Sequence, residues 1–267
     1  MTTTREYPKL ERQPLTLVVA EFRFSRLNLD SEEVMGFRHE VEARLESRAK
    51  LRTAQSTQVD ADGIFVSANP ILRWTSEKLG ECVYLESDRL VFATTQYPRF
   101  PDFQRKIESL LEALEDACGI EKLYRVGLRY NDAVVPEANE NLGAYLVPPL
   151  LPAADMPEAL QTLRGHRTET EFVTEAGALI VRAFLGRHGW AFTPDLAARS
   201  GLASPIEVPD DRGTAVLDFD HYWLPLEPEG VLFDVESAIS RFAALHEPAI
   251  LAFWSFTTDY ARKEVWR

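Results

Sequence analysis

Residues 123–131 change character one by one. Tyr124, Val126, Leu128 and Tyr130 fall on one side, and Arg125, Gly127, Arg129 and Asn131 on the other. A period of two means a β-strand, and an apolar face opposite a polar one is the mark of an antiparallel sheet with one face on a core. Residues 17–24 repeat the pattern, with Val18, Ala20, Phe22 and Phe24 opposite Glu21 and Arg23. Residues 214–222 do so again, with Asp218 and Asp220 on a shared face. A chain with three such segments must build a sheet that carries charge on one surface.

Further short strands are expected at 64–68, 72–76, 82–86 and 89–95, with Ser87 and Asp88 as a tight turn between the last two. Strands resume at 163–174 and 179–187, joined through Glu175, Ala176 and Gly177. Between strands the period switches to that of a helix. Ser31 is placed to cap a helix whose stripe is Val34, Phe37, Val41 and Leu45. Asp102 is placed to cap a second, with Phe103, Ile107, Leu110, Leu111 and Leu114 inward and Gly119 ending it. Asp234 opens a third with Ile239, Phe242 and Leu245, and Pro248 restarts the chain as a last helix with Ile250, Phe253 and Trp254. Residues 190–212 read as a long loop with three prolines.

The expected fold class is therefore α+β: mostly antiparallel sheet with long amphipathic helices packed on one face. Residues 133–158 hold five of the sixteen prolines without any period. They suggest a connection at 136–158 between an N-terminal half, 1–135, and a C-terminal half, 159–267. The two halves are expected to form one compact unit and to resemble each other in structure. A content of 45% hydrophobic and 27% charged residues over 267 positions is enough for a sizeable core and excludes wholesale disorder.

The formal net charge is -13. Residues 1–133 carry 19 basic and 22 acidic groups, and residues 134–267 carry 10 and 20, so the excess sits in the second part. Phosphate backbones and anionic lipids need Lys and Arg, so neither nucleic acid nor membrane is expected as a partner. The first residues are charged and proline-bearing where a signal peptide would be apolar, and no apolar run approaches a membrane span. Cys82 and Cys118 form no CxxC and have no histidine at ligand spacing. A reducing, cytoplasmic setting is the expectation, with no metal and no cofactor.

The segments at 14–24, 90–97, 124–135, 215–223 and 244–259 resemble a sporadically distributed family of bacterial proteins of about this length, for which no activity is established. The strongest element is the run from Arg125 to Asn131, followed by Leu245-His246 and residues 253–258. Asp132 departs from it, since the resemblance implies an apolar residue after the asparagine. The resemblance implies bacterial origin and fold and hints at a locus of the defence or toxin–antitoxin kind; it supplies no catalytic residues.

No GxSxG, GxGxxG or GxxxxGK[ST] occurs. The residues with chemistry to offer are Arg23, Arg125, Arg129 and Arg182, with Asp218 and Asp220, all at polar positions of alternating strands. Guanidinium groups present a planar fork to phosphate or carboxylate. His221 points away from the aspartates, and His246 is expected at a helix end, satisfied there. The expectation is a non-enzymatic binding or regulatory protein whose charged strand face engages a protein or a small anionic ligand, with a homodimer also allowed. The alternative is a Mg²⁺-dependent phosphate-handling enzyme, with the arginines gripping phosphate and Asp218 and Asp220 holding the ion.

Overall fold

A computed structural model describes residues 7–60, 63–153 and 164–267. Its strands form a single sheet. In chain order the elements are β1 (Leu15–Phe24), α1 (Glu32–Leu45), β2 (Lys50–Asp60), β3 (Gly63–Ser76), β4 (Glu81–Glu86), β5 (Arg89–Thr94), α2 (Phe100–Cys118) and β6 (Lys122–Val134). There follow β7 (Gly165–Thr174), β8 (Gly177–Gly186), α3 (Pro194–Ser200), β9 (Thr214–Trp223), β10 (Val231–Leu232), α4 (Val235–Ala244) and α5 (His246–Phe256). The strand order is β2-β3-β4-β5-β1-β6-β9-β8-β7, with β10 on the first residues of β6, and every pairing is antiparallel. The fold is α+β, and no described helix is long and apolar enough to cross a membrane.

Strands from before and after the proline-rich stretch share this sheet, because β6 pairs with β9 from Val126 to Val134 on one side and with β1 on the other, β1 and β6 lying at the centre. The strand order has a regularity on either side of that pair. β5, the last strand before α2, returns beside β1, and β9, which precedes α4, returns beside β6. The proline-rich stretch is not a bare linker. Its two short 3-10 turns, Leu142–Ala144 and Pro148–Leu150, bury Tyr145, Leu146 and Leu150, and Leu146 bridges to Thr257.

Alternation along the strands decides what each face does. The face with Val18, Ala20, Phe22 and Phe24 joins Val126, Leu128, Tyr130, Leu217 and Phe219 in the main core, capped by the stripes of α1, α2 and α4. Phe242 of α4 ties the chain together there: its ring lies 5.7 Å from Phe22, 5.6 Å from Phe100 and 6.1 Å from Phe103. The side chain of Ser31 does cap α1, accepting from Val34 N. α2 instead begins two residues before Asp102: Arg99 takes the cap position without a side-chain bond, and Pro101 suits the first turn because its missing N–H would be unpaired there anyway. β3 is one strand rather than two, carried through Pro70 by its pairing with β2, a polar strand that the alternation did not reveal.

The opposite face is covered over part of its width. Residues 190–212, expected as loop, contain α3, and Phe192, Leu196 and Leu202 pack on Leu17, Val19, Tyr84 and Val91 as a second, smaller apolar cluster. Beyond this cover lie the charged positions.

Gly177 starts β8 at φ 146, where a Cβ would sit 2.1 Å from the Tyr222 carbonyl oxygen. Its replacement by alanine has to push β8 off β9. Gly177→Ala is expected to lower the unfolding free energy by at least about 2 kcal/mol in denaturant titration, whereas Gly119→Ala, with open space around its Cβ, pays only the left-handed backbone term.

Candidate functional site

The register brings the expected residues together. Arg23 pairs with Arg125 across β1 and β6; Arg129 pairs with Asp220 and Asn131 with Asp218 across β6 and β9; Arg182 pairs with Asp218 across β8 and β9. Since side chains alternate, all of them emerge on the face opposite α1, α2 and α4. β5 adds Arg89, directly opposite Arg23. All six residues singled out in the sequence belong to one contiguous network.

Asp218 is its buried anchor, with no exposed surface. It accepts from Arg129 Nε at 2.6 Å and Nη2 at 2.8 Å, from Arg182 Nη1 at 3.1 Å and from Asn131 Nδ2 at 3.0 Å. Burial pushes its carboxyl above the ordinary aspartate range, and the two guanidinium groups oppose that push. From this anchor the network reaches the covering segment. Arg129 Nη1 donates to Asp195 at 2.7 Å in the first turn of α3, and Asn131 Oδ1 accepts from Thr193 N at 2.8 Å. Thr16 adds a hydroxyl bond to the Ala191 carbonyl at 2.7 Å.

Glu21 is a second anchor. It accepts from Arg125 at 2.5 Å, Arg23 at 2.9 Å and Arg89 at 3.1 Å. Burial alone would raise its pKa; the charges of Arg125, Arg23 and Arg89 override it and hold the carboxyl at about 2. Arg125 lies over the Tyr222 ring at 4.5 Å and reaches Asp220 at 3.4 Å. Gly127 makes room for this, since a Cβ there would stand 2.7 Å from Arg125 Nη1. Arg182 also holds Glu169 at 2.6 Å, and Arg89 holds Glu86 at 2.6 Å.

Between the sheet and α3 the network leaves a hollow of about 190 Å³. Five arginines line it, Arg23, Arg89, Arg125, Arg129 and Arg199, against three carboxylates, Glu21, Asp195 and Asp220. Tyr84 stands at its wall, its hydroxyl pushed up to about 12 by burial and so a hydrogen-bond donor at neutral pH. Arg182 belongs to the network but not to the lining. Arg89, Arg199, Asp195 and Tyr84 were not singled out in the sequence. Thr193-Pro194-Asp195 is a helix-start pattern that could have placed α3, and Arg89 opens an alternating strand.

No cluster of three or more His, Cys, Asp or Glu suited to a metal ion occurs among the described residues. Asp218 has both oxygens occupied by arginine, so a cation would have to displace a guanidinium. His221 is turned to the helix face and bound at both ring nitrogens, with Nδ1 2.7 Å from the Leu245 carbonyl and Nε2 2.9 Å from Thr174 Oγ1. His246 differs from the expectation of a helix-ending residue: it begins α5, stacks on Phe100 at 4.0 Å and meets the Tyr130 hydroxyl at 2.8 Å. Both thiols are raised to about 11, chiefly by burial.

No family model matches the chain, and no curated protein matches it in sequence.

The depressed pKa of Glu21 fixes a sign. A carboxyl held at about 2 when folded, against 4.5 as its ordinary value, contributes stability in full above pH 4.5 and loses it as pH falls toward 2. Glu21→Gln is expected to cost about 2–3 kcal/mol at pH 7. The gap from wild type should close as thermal unfolding is followed from pH 5 down to pH 2.

Proposed function

We propose that this chain is a non-catalytic binding protein that receives a small anionic ligand, phosphate-bearing or carboxylate-bearing, in the hollow between the sheet face and α3. The observation that carries this is the excess of arginine over carboxylate around a hollow of about 190 Å³. Most of those arginines are already held by Glu21, Asp195, Asp218 or Asp220, which fixes their forks in advance and reduces the ordering cost of binding. Arg199 has no carboxylate within ion-pair distance among the described residues, and Arg23 is about half exposed, its side chain at 47%. Arg23 is bound to Glu21 through Nε, so its Nη groups, with the Arg199 guanidinium beside the Tyr84 hydroxyl, are what the hollow offers a ligand.

The same facts weigh against the catalytic alternative. Asp218 and Asp220, which would have to hold Mg²⁺, are engaged by Arg125, Arg129 and Arg182. The resemblance of residues 125–131 supports assigning the chain to the sporadic bacterial family, and with it a place in a defence-type locus. The repeated return of β5 beside β1 and of β9 beside β6 supports two structurally related halves.

The test is a thermal-shift titration with inorganic phosphate, pyrophosphate and ATP, with and without Mg²⁺. A ligand that binds only the folded chain raises its melting temperature by mass action. The expected result is a shift that needs no metal and is lost in the Arg23→Ala/Arg199→Ala double variant, which still unfolds cooperatively without ligand, at a melting temperature lowered by the loss of the Arg23–Glu21 pair. A shift that requires Mg²⁺ and disappears in Asp220→Asn would move the assignment to the catalytic alternative. No shift with any anion would remove the small-ligand proposal.

A further inference from the structure

A second cavity, of about 320 Å³, lies on the other side of the sheet. The alternation of β6 separates the two: Arg129 and Asn131 face the charged network, and Tyr130 and Asp132 face this cavity. Its walls are aromatic, with Phe100, Phe219, Phe253 and Trp254 among them. A volume of this size, mostly apolar with a few convergent polar groups, is what small-molecule sites offer.

Asp132 is the polar group that needs explaining. It is 4% exposed, it lines the cavity, and its carboxyl has no hydrogen-bond partner among the described residues. Buried carboxyls are almost always paired, because an unpaired one forfeits its hydration. Burial, reinforced by the charge of Asp218 in β9, pushes Asp132 up to about 8. The other titratable groups around the cavity are Tyr97, Tyr130 and His246, with Tyr7, Lys9, Arg99 and Glu247 also in the lining. Burial lowers His246 to about 4 and raises Tyr97 to about 12, so neither carries charge at neutral pH. Tyr130 is held between Tyr97 at 3.3 Å and His246 at 2.8 Å.

We propose that this cavity binds a small organic cation, an amine bearing an aromatic or branched apolar group, with the ammonium on Asp132 and the apolar group among Phe100, Phe253 and Trp254. An ammonium supplies the donors that Asp132 lacks and turns it into a carboxylate. Its attraction to aromatic faces adds to the pairing. Ionising Asp132 at pH 7 costs about tenfold in affinity, a factor that a charge-assisted hydrogen bond can exceed. An anion of the same shape meets a carboxyl group instead. This site is independent of the anion hollow.

The test is isothermal titration of the full chain at pH 7 with three matched probes: phenethylamine, phenethyl alcohol and 3-phenylpropionate. Titrating the amine in buffers of different ionisation enthalpy counts the protons released. The expected result is that the amine binds at least about tenfold more tightly than either probe and releases close to one proton, as Asp132 ionises. Asp132→Asn should unfold at or above the wild-type temperature at pH 7, since it replaces a raised carboxyl by a neutral amide, and should lose the preference for the amine. Equal binding of alcohol and amine, preference for the carboxylate, or amine binding that survives in Asp132→Asn would each overturn the proposal. So would the absence of any heat with the amine up to about 10 mM, the range in which a fragment of this size should register.

Discussion

Asp218 has no exposed surface and yet sits on the polar face of the sheet, and the organisation of that face follows from how it is satisfied. A carboxyl removed from water is tolerated only with several donors around it. Here Arg129, Arg182 and Asn131 supply them from β6 and β8. Two of these have further bonds that leave the sheet: Arg129 goes on to Asp195, and Asn131 to the Thr193 backbone. The segment that carries α3 is thereby fixed over the sheet, and its Phe192 and Leu196 complete an apolar cluster that the strands alone would leave open. The anion hollow is the space left where this cover meets the second anchor, Glu21. Burial, charge pairing and cavity are one chain of consequences.

Two cavities of opposite character result from the period of two along β6. Arginines at 125 and 129 face a hollow rich in charge, and Tyr130 and Asp132, at alternate positions of the same strand, face a cavity with aromatic walls. A strand at the centre of the sheet, paired with both β1 and β9, holds both sets of side chains on a rigid support. That is the arrangement in which a binding site keeps its geometry without loops to shape it.

The strands with regular alternation were legible from the sequence, and so was the charged face. Val18 to Phe24, Tyr124 to Tyr130 and the pair Asp218 and Asp220 sit where a period of two places them, and the stripes of α1, α2 and α4 are buried as spaced. β2 was not legible, because an edge strand has no second neighbour to impose apolar spacing and residues 50–60 are mostly polar. The α2 start was misplaced because Asp102 has the right chemistry for a cap, while Pro101 allowed the helix to begin earlier. α3 was hidden among prolines, and its role depends on contacts to Asn131 and Arg129 more than 60 positions away in the chain. Spacing could show that the arginines share a face. It could not show that a distant loop would return to roof them over. Asp132 stood out in the sequence only as an odd residue after Asn131, and its isolation is a property of the folded core.

Asp218 holds the α3 cover through its neighbours, and hydrogen exchange in Asp218→Asn tests this most directly. With the anchor weakened, the amides of residues 193–201 should lose protection while those of β1 and β6 keep theirs, because the central ladder does not depend on the charged face. Unchanged protection across α3 would mean that the apolar cluster alone secures the cover and that the buried ion pairs do not organise this face.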